Sequence, residues 1–183
     1  MKIEQYEEEF YDEFNKSIKL MEGNKPCIAF SGGVDSSLLA CLCKNYLGCD
    51  NLSLISVRFD GDEEIDYIKW AADILETNLI SSEITYQELE KGIIETLGII
   101  EYDRVALLEN AIGYYFIFKL ATSNGFDTIL SGNGLDELFC GYDVFRRRYS
   151  SGETRHLINH LTEVAKTDKI MIDKISRRFD INY

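Results

Sequence analysis

The residues best suited to do chemistry fall in two short stretches. The first is Ser31-Gly32-Gly33-Val34-Asp35-Ser36-Ser37, which follows the apolar run Cys27-Ile28-Ala29-Phe30 and opens another at Leu38-Leu39-Ala40. Glycines let a backbone approach a ligand closely. Hydroxyls and the free N–H groups of a helix N-terminus favour an anion. A phosphate suits that environment. Asp35 repels it unless a cation lies between them. The stretch therefore reads as a site for phosphate bound together with a divalent metal, Mg²⁺ by its hardness and its habit of sharing phosphate oxygens.

Two other phosphate loops are excluded. One needs a Gly-Lys-Ser/Thr ending, and no lysine stands here. The dinucleotide turn needs a third glycine where Ser36 and Ser37 stand. The second stretch, Ser131-Gly132-Asn133-Gly134-Leu135-Asp136-Glu137, repeats the design of the first: an apolar run ends, glycines turn the chain, and acids follow at a helix start. Acids at a helix N-terminus complement its dipole. With Asp35 at a neighbouring strand end, Asp35 and Asp136 gain a second reading, as two carboxylates holding one Mg²⁺ against the phosphates of ATP.

These stretches need elements to position them. Phe10, Phe14, Ile18 and Met21 recur at spacings of three and four, which predicts an amphipathic lead-in helix over Tyr6–Met21. Strands are expected at Cys27–Phe30, Leu52–Phe59, Leu79–Ser82 and Asp127–Ser131. Helices are expected at Val34–Tyr46, Glu63–Glu76, Tyr86–Leu97 and Asp103–Ser123, and from there to the end of the chain. Alternating strands and helices imply an α/β fold, a doubly wound parallel sheet with helices on both faces and further helices at both ends. Ligands of such sheets bind past the carboxyl ends of the strands, where both glycine turns fall. One domain over 1–183 is expected, with 1–24 as the lead-in helix, 25–149 as the core and 150–183 as C-terminal helices.

Composition narrows the function. Five cysteines without a Cys-x-x-Cys pair argue against structural zinc, and Cys27, Cys41 and Cys43 are expected as buried free thiols. His156 and His160 share one helix face without a third ligand, and read as solvated surface. A net charge of −13 disfavours a nucleic-acid surface, and Arg146-Arg147-Arg148 reads as a solvated helix face. No apolar run approaches a membrane span, and the acidic start is not a secretory signal, so a cytoplasmic protein is expected.

The first stretch resembles the pyrophosphatase loop of the PP-loop ATP-pyrophosphatases. Ser131–Tyr142 resembles the Ser-Gly-x-Gly-x-Asp-Glu-Leu-Phe-Gly-Gly-Tyr segment of the asparagine synthetase synthetase domain. The likeness runs over roughly Lys25–Tyr149. It implies an adenine nucleotide alpha-hydrolase-like fold and an ATP-dependent, AMP-forming amide ligase. A small carboxylate would be adenylated with loss of pyrophosphate, and ammonia or an amine would displace AMP. By the same resemblance, Ser31, Gly32, Gly33, Asp35, Ser36 and Ser37 would hold pyrophosphate. Phe30, Val57, Ser131 and Gly132 would line the nucleotide site. Asp35 and Asp136 would bind Mg²⁺, and Glu137 would support them or orient the substrate.

The sequence departs from the family pattern in several places. Asn133 stands where the family carries Glu, Glu109 where it carries Arg, and Cys140 replaces a glycine. The start, Met1-Lys2, lacks a glutaminase nucleophile, which leaves free ammonia, an amine, a separate glutaminase chain or a homo-oligomer as partners. A pyrophosphate-stabilising lysine is not matched in place, so Lys25, Lys169 or a partner chain is expected to supply it. The alternatives are a nucleotide-binding subunit or impaired homologue that needs a partner, and a tRNA-modifying or sulfur-transfer enzyme of the same superfamily.

Overall fold

The computed structural model describes residues 3–19, 24–47, 52–60, 65–101, 105–139, 141–152 and 154–183. Helix α1 (Ile3–Lys19) leads into strand β1 (Pro26–Ala29), and helix α2 (Val34–Leu47) follows. Then come β2 (Ser53–Phe59), α3 (Ile65–Ile74), β3 (Asn78–Ile84), α4 (Tyr86–Ile99) and α5 (Val105–Ser123). The chain continues through β4 (Thr128–Leu130), α6 (Leu135–Phe139), α7 (Asp143–Ser150) and α8 (Thr154–Phe179). The four strands form one parallel sheet in the order β3-β2-β1-β4. The chain leaves β1 toward β2 on one side, and β4 returns on the other. That reversal opens a crevice beyond the carboxyl ends of β1 and β4.

Strand residues alternate between two apolar cores, because successive side chains point to opposite faces. Cys27, Ile55 and Ile129 join Phe116, Phe118 and Ala121 of α5 and Met171, Ile172 and Ile175 of α8. Ile28, Phe30 and Leu54 join Ile18 of α1, Ala40 and Cys43 of α2, and Ile68, Ala71 and Ala72 of α3. Helices therefore cover both faces of the sheet, as the sequence predicts. Among the described residues no helix is long and apolar enough to cross a membrane.

Local differences from the sequence reading have physical causes. Strand β3 runs to Ile84 because it pairs with β2 along its whole length, and Arg58 and Glu83, directly opposite in register, form an ion pair. Of the α1 stripe, Ile18 is buried while Phe10 is exposed; Met21 lies outside the described residues. Cys41 is exposed rather than buried. A helix turns about 100° per residue, so Ala40 and Cys43 share the inward face and Cys41 does not. Cys49 and Cys140 lie outside the described residues.

Helix does not continue to the end of the chain. Asp180 adopts a φ of 51° and breaks α8. Ile181 is then buried in the core, and Asn182 forms a parallel bridge with Thr128. The Ile129 N–H donates to the Asn182 carbonyl at 2.9 Å, and the Asn182 N–H donates to the Asp127 carbonyl at 2.9 Å. The last residues thus extend the sheet beside β4.

Candidate active site

The turn after β1 is built by its own hydroxyls. Ser31 Oγ accepts the Gly33 N–H at 3.3 Å and lies 3.2 Å from Ser36 Oγ. Ser36 Oγ donates to the Gly33 carbonyl at 3.2 Å, and Ser37 Oγ donates to the Gly32 carbonyl at 3.3 Å. Gly32 takes a φ of 76°, which side chains resist, and a Cβ there would sit 3.1 Å from Tyr67 Cε1. The first helical bond runs from the Ser37 N–H to the Gly33 carbonyl at 3.0 Å. The N–H groups before it have no helical partner and suit water or an anion.

The turn after β4 repeats this geometry. Ser131 Oγ accepts the Asn133 N–H at 3.2 Å, and it also meets the hydroxyls of Tyr114, at 3.4 Å, and Tyr183. Burial, with Tyr183 beside it, pushes the Tyr114 phenol well above its ordinary pKa, so it stays protonated and able to donate. The two turns touch. A Cβ on Gly132 would lie 3.0 Å from Asp35 Cβ and 3.2 Å from Ser36 N. Only glycine leaves room for that approach. Gly141 makes similar room, since a Cβ there would overlap the Asp136 carboxylate.

Both turns open into a cavity of about 520 Å³, which is within the usual size range for small-molecule sites. Of the sequence-predicted residues, Phe30, Ser31, Asp35, Ser36, Val57, Ser131, Gly132 and Asp136 line it. Gly32, Gly33 and Ser37 do not; they shape the turn from behind. The Glu137 side chain lies outside the described residues. Asn133 and Glu109 also face the cavity.

Sequence reasoning missed part of the wall. Helix α5 contributes Asn110, Gly113, Tyr114 and Ile117, while Ser56 and Phe59 come from β2 and Ile68 from α3. Glu109, Asn110 and Gly113, small or polar on one side of an otherwise apolar helix, carried a signal for it.

The charge of this wall is one-sided. Asp35, Asp136 and Glu109 line it, and no described lining residue is Lys or Arg. Lys25 stands before β1, at the amino end of the strands and away from the cavity, where its backbone N–H donates to Asp127 at 2.8 Å. Lys169 pairs with Asp173 along α8 at 3.0 Å. Neither supplies the cavity with the cation that the sequence reading assigned to them. Among the described residues, no group of three or more His, Cys, Asp or Glu converges as a metal site. Two carboxylates on facing turns suit a hard cation that takes its other oxygens from a phosphate ligand and water, as Mg²⁺ does.

The profile of the asparagine synthase family matches residues 9–179. The chain belongs to the asparagine synthase family. A putative glutamine-hydrolysing asparagine synthetase of Methanocaldococcus jannaschii is 32% identical over 182 residues, covering 95% of this chain and 33% of that protein. The Bacillus subtilis asparagine synthetase 1 is 30% identical over 151 residues, 81% of this chain and 23% of that one. The chain thus spans a third or less of the length of these two family members. Among solved structures, the ammonia-dependent NAD synthetase of Campylobacter jejuni superposes with a TM-score of 0.51 at 14% identity, covering 98% of this chain and 94% of that one. The glutamine-dependent NAD⁺ synthetase of Acinetobacter baumannii, solved with ADP, gives 0.50 at 19% identity over 68% of this chain and 25% of that one. At such identities these likenesses speak for the fold.

Proposed function

We propose that this chain is an ATP-dependent, AMP-forming carbon–nitrogen ligase that activates a small carboxylate by adenylation and passes it to ammonia or an amine. The observation that carries the proposal is the contact between the two glycine turns, which sets Asp35 and Asp136 on the wall of one cavity at the sheet's reversal. The chain is read as one nucleotide-binding unit over 1–183. The turn from Ser31 to Ser37 would receive the leaving pyrophosphate with its N–H groups and hydroxyls. Phe30, Val57, Ser131 and Gly132 would flank the nucleotide. Asp35 and Asp136 would hold Mg²⁺, which when bound offsets the charge growing on pyrophosphate. Glu137 would support that pair or orient the carboxylate. Free thiols at Cys27, Cys41 and Cys43 suit a reducing, cytoplasmic setting.

The test is to incubate the protein with ATP, Mg²⁺, ammonium and a panel of small carboxylic acids, and to measure AMP and pyrophosphate. AMP should form with at least one acid and should fall ~100-fold or more in Asp35→Asn, the scale of losing a group that stabilises developing charge. AMP formation unchanged in that variant would sink the mechanism. One observation favours a second reading, a nucleotide-binding subunit completed by a partner chain: the described cavity wall holds three carboxylates and no basic side chain. ATP binding without AMP formation across the panel would select it. A tRNA-directed activity fits poorly with a charge of −13.

A further inference from the structure

Residues 181–183 reach the wall of the cavity from behind. Asp180 breaks α8, Ile181 is buried, and Asn182 bonds to Asp127 and Ile129 beside β4. Tyr183 comes next. Its ring meets Tyr114 edge-on with 5.9 Å between centroids, and Phe118 at 5.9 Å. Backbone and ring together bring the Tyr183 hydroxyl onto Ser131 Oγ. Tyr114 adds a third hydroxyl, 3.4 Å from Ser131 Oγ and 3.5 Å from the Tyr183 oxygen.

Three hydroxyls within mutual reach fix one another, since each can both donate and accept. Ser131 Oγ also accepts the Asn133 N–H at 3.2 Å, a bond that closes the turn after β4. Between those two residues lies Gly132, the glycine that approaches Asp35. Ser131 and Tyr114 line the cavity, whereas Tyr183 does not. Whatever the Tyr183 hydroxyl does to a ligand must therefore pass through its neighbours, and the nearer of the two is Ser131.

We infer that Tyr183 is a positioning residue, whose hydroxyl holds Ser131 and with it the turn Ser131–Gly134 in the shape that receives the nucleotide. The effect on a ligand rests on the nucleotide reading of the cavity given above. The link from Tyr183 to the turn stands without it. A neutral hydrogen bond of this kind supports a roughly 3- to 10-fold effect on affinity.

Two measurements test the inference. Tyr183→Phe keeps the ring and removes only the hydroxyl. The first measurement is amide hydrogen exchange of the protein without ligand, read at Asn133 by NMR. Exchange there should be faster in Tyr183→Phe than in the wild type. The second is calorimetric titration with ATP and Mg²⁺ of the wild type, Tyr183→Phe, Ser131→Ala and the double variant. Affinity should fall roughly 3- to 10-fold in Tyr183→Phe. The double variant should bind no more weakly than Ser131→Ala alone, because the tyrosine acts through the serine. Unchanged exchange at Asn133 overturns the link to the turn. Lower thermal stability with unchanged ATP affinity makes Tyr183 merely structural and overturns its positioning role. Losses that multiply in the double variant overturn the route through Ser131. A wild type that binds no ATP overturns the nucleotide reading instead, and the exchange at Asn133 then still decides whether Tyr183 holds the turn.

Discussion

Gly132 and Asp35 depend on each other through a gap too small for a methyl group. In Gly132→Ala the new Cβ would press on Asp35 Cβ from 3.0 Å and on the Ser36 backbone from 3.2 Å, so the turns must separate. That substitution should weaken ATP binding at least tenfold in a titration while leaving the far-UV spectrum native. The thiols offer a second residue-scale prediction. Burial pushes Cys27 and Cys43 up to about 12, with Asp127 adding to the effect at Cys27, whereas Cys41 is exposed. Peptide mapping after alkylation at pH 8 should find Cys41 modified in the native protein, and Cys27 and Cys43 modified only after denaturation. The sign of the pH effect follows. An unfolded thiol ionises near 9 and the folded one near 12, so this contribution to stability is complete below pH 9 and is lost as pH rises toward 12. Cys43→Ala should flatten that alkaline decline in thermal unfolding. At this scale the glycine turns and their acids were legible, because their spacing is local. The α5 side of the cavity, Asn110, Gly113, Tyr114 and Ile117, was not, because that helix meets the turns only in the folded chain.

Helix α4 shows how an element is fixed at its start and along its side. Thr85 Oγ1 accepts the Glu88 N–H at 3.3 Å, and the Glu88 carboxylate accepts the Thr85 N–H at 3.0 Å, a reciprocal cap. These bonds hold the Glu88 carboxyl below its ordinary value of 4.5. The cap's contribution is present above that value and is lost as pH falls through and below it. Glu88→Gln should therefore lose less stability than the wild type between pH 5 and about 3 in denaturant titrations. Along the side, Gly92 admits the Phe116 ring of α5; a Cβ there would lie 2.4 Å from Phe116 Cζ. Gly92→Ala should cost about 1–3 kcal/mol by urea unfolding, and Phe116→Leu in the same chain should recover part of it. Helix α4 itself was legible in the sequence as Tyr86–Leu97, and the structure carries it on to Ile99. The need for Gly92 was not, since it arises from a helix that periodicity cannot pair with it.

At the scale of the molecule, one parallel sheet divides two cores, and each face has its own helices. Phe118 is the largest of the fully buried side chains and sits where α5 meets the sheet. Phe118→Ala should cost about 3–5 kcal/mol, whereas Trp70→Ala, at a 58% exposed position, should stay within about 0.5 kcal/mol. Urea unfolding of the two variants side by side checks both. The strands and the α/β class could be read from alternation and turns. The order β3-β2-β1-β4 could not, because strand adjacency depends on which apolar faces meet in space. The return of Ile181–Tyr183 was hidden for the same reason: nothing local marks a few residues as sheet. That return bears on the solubility of the native protein. A strand at the margin of a sheet offers its free N–H and C=O groups to any passing chain. Asn182 takes up the Asp127 carbonyl and the Ile129 N–H on the outer side of β4. The protein thereby closes from within the outer margin of β4, a margin that left open would let a second molecule dock strand to strand and begin an aggregate.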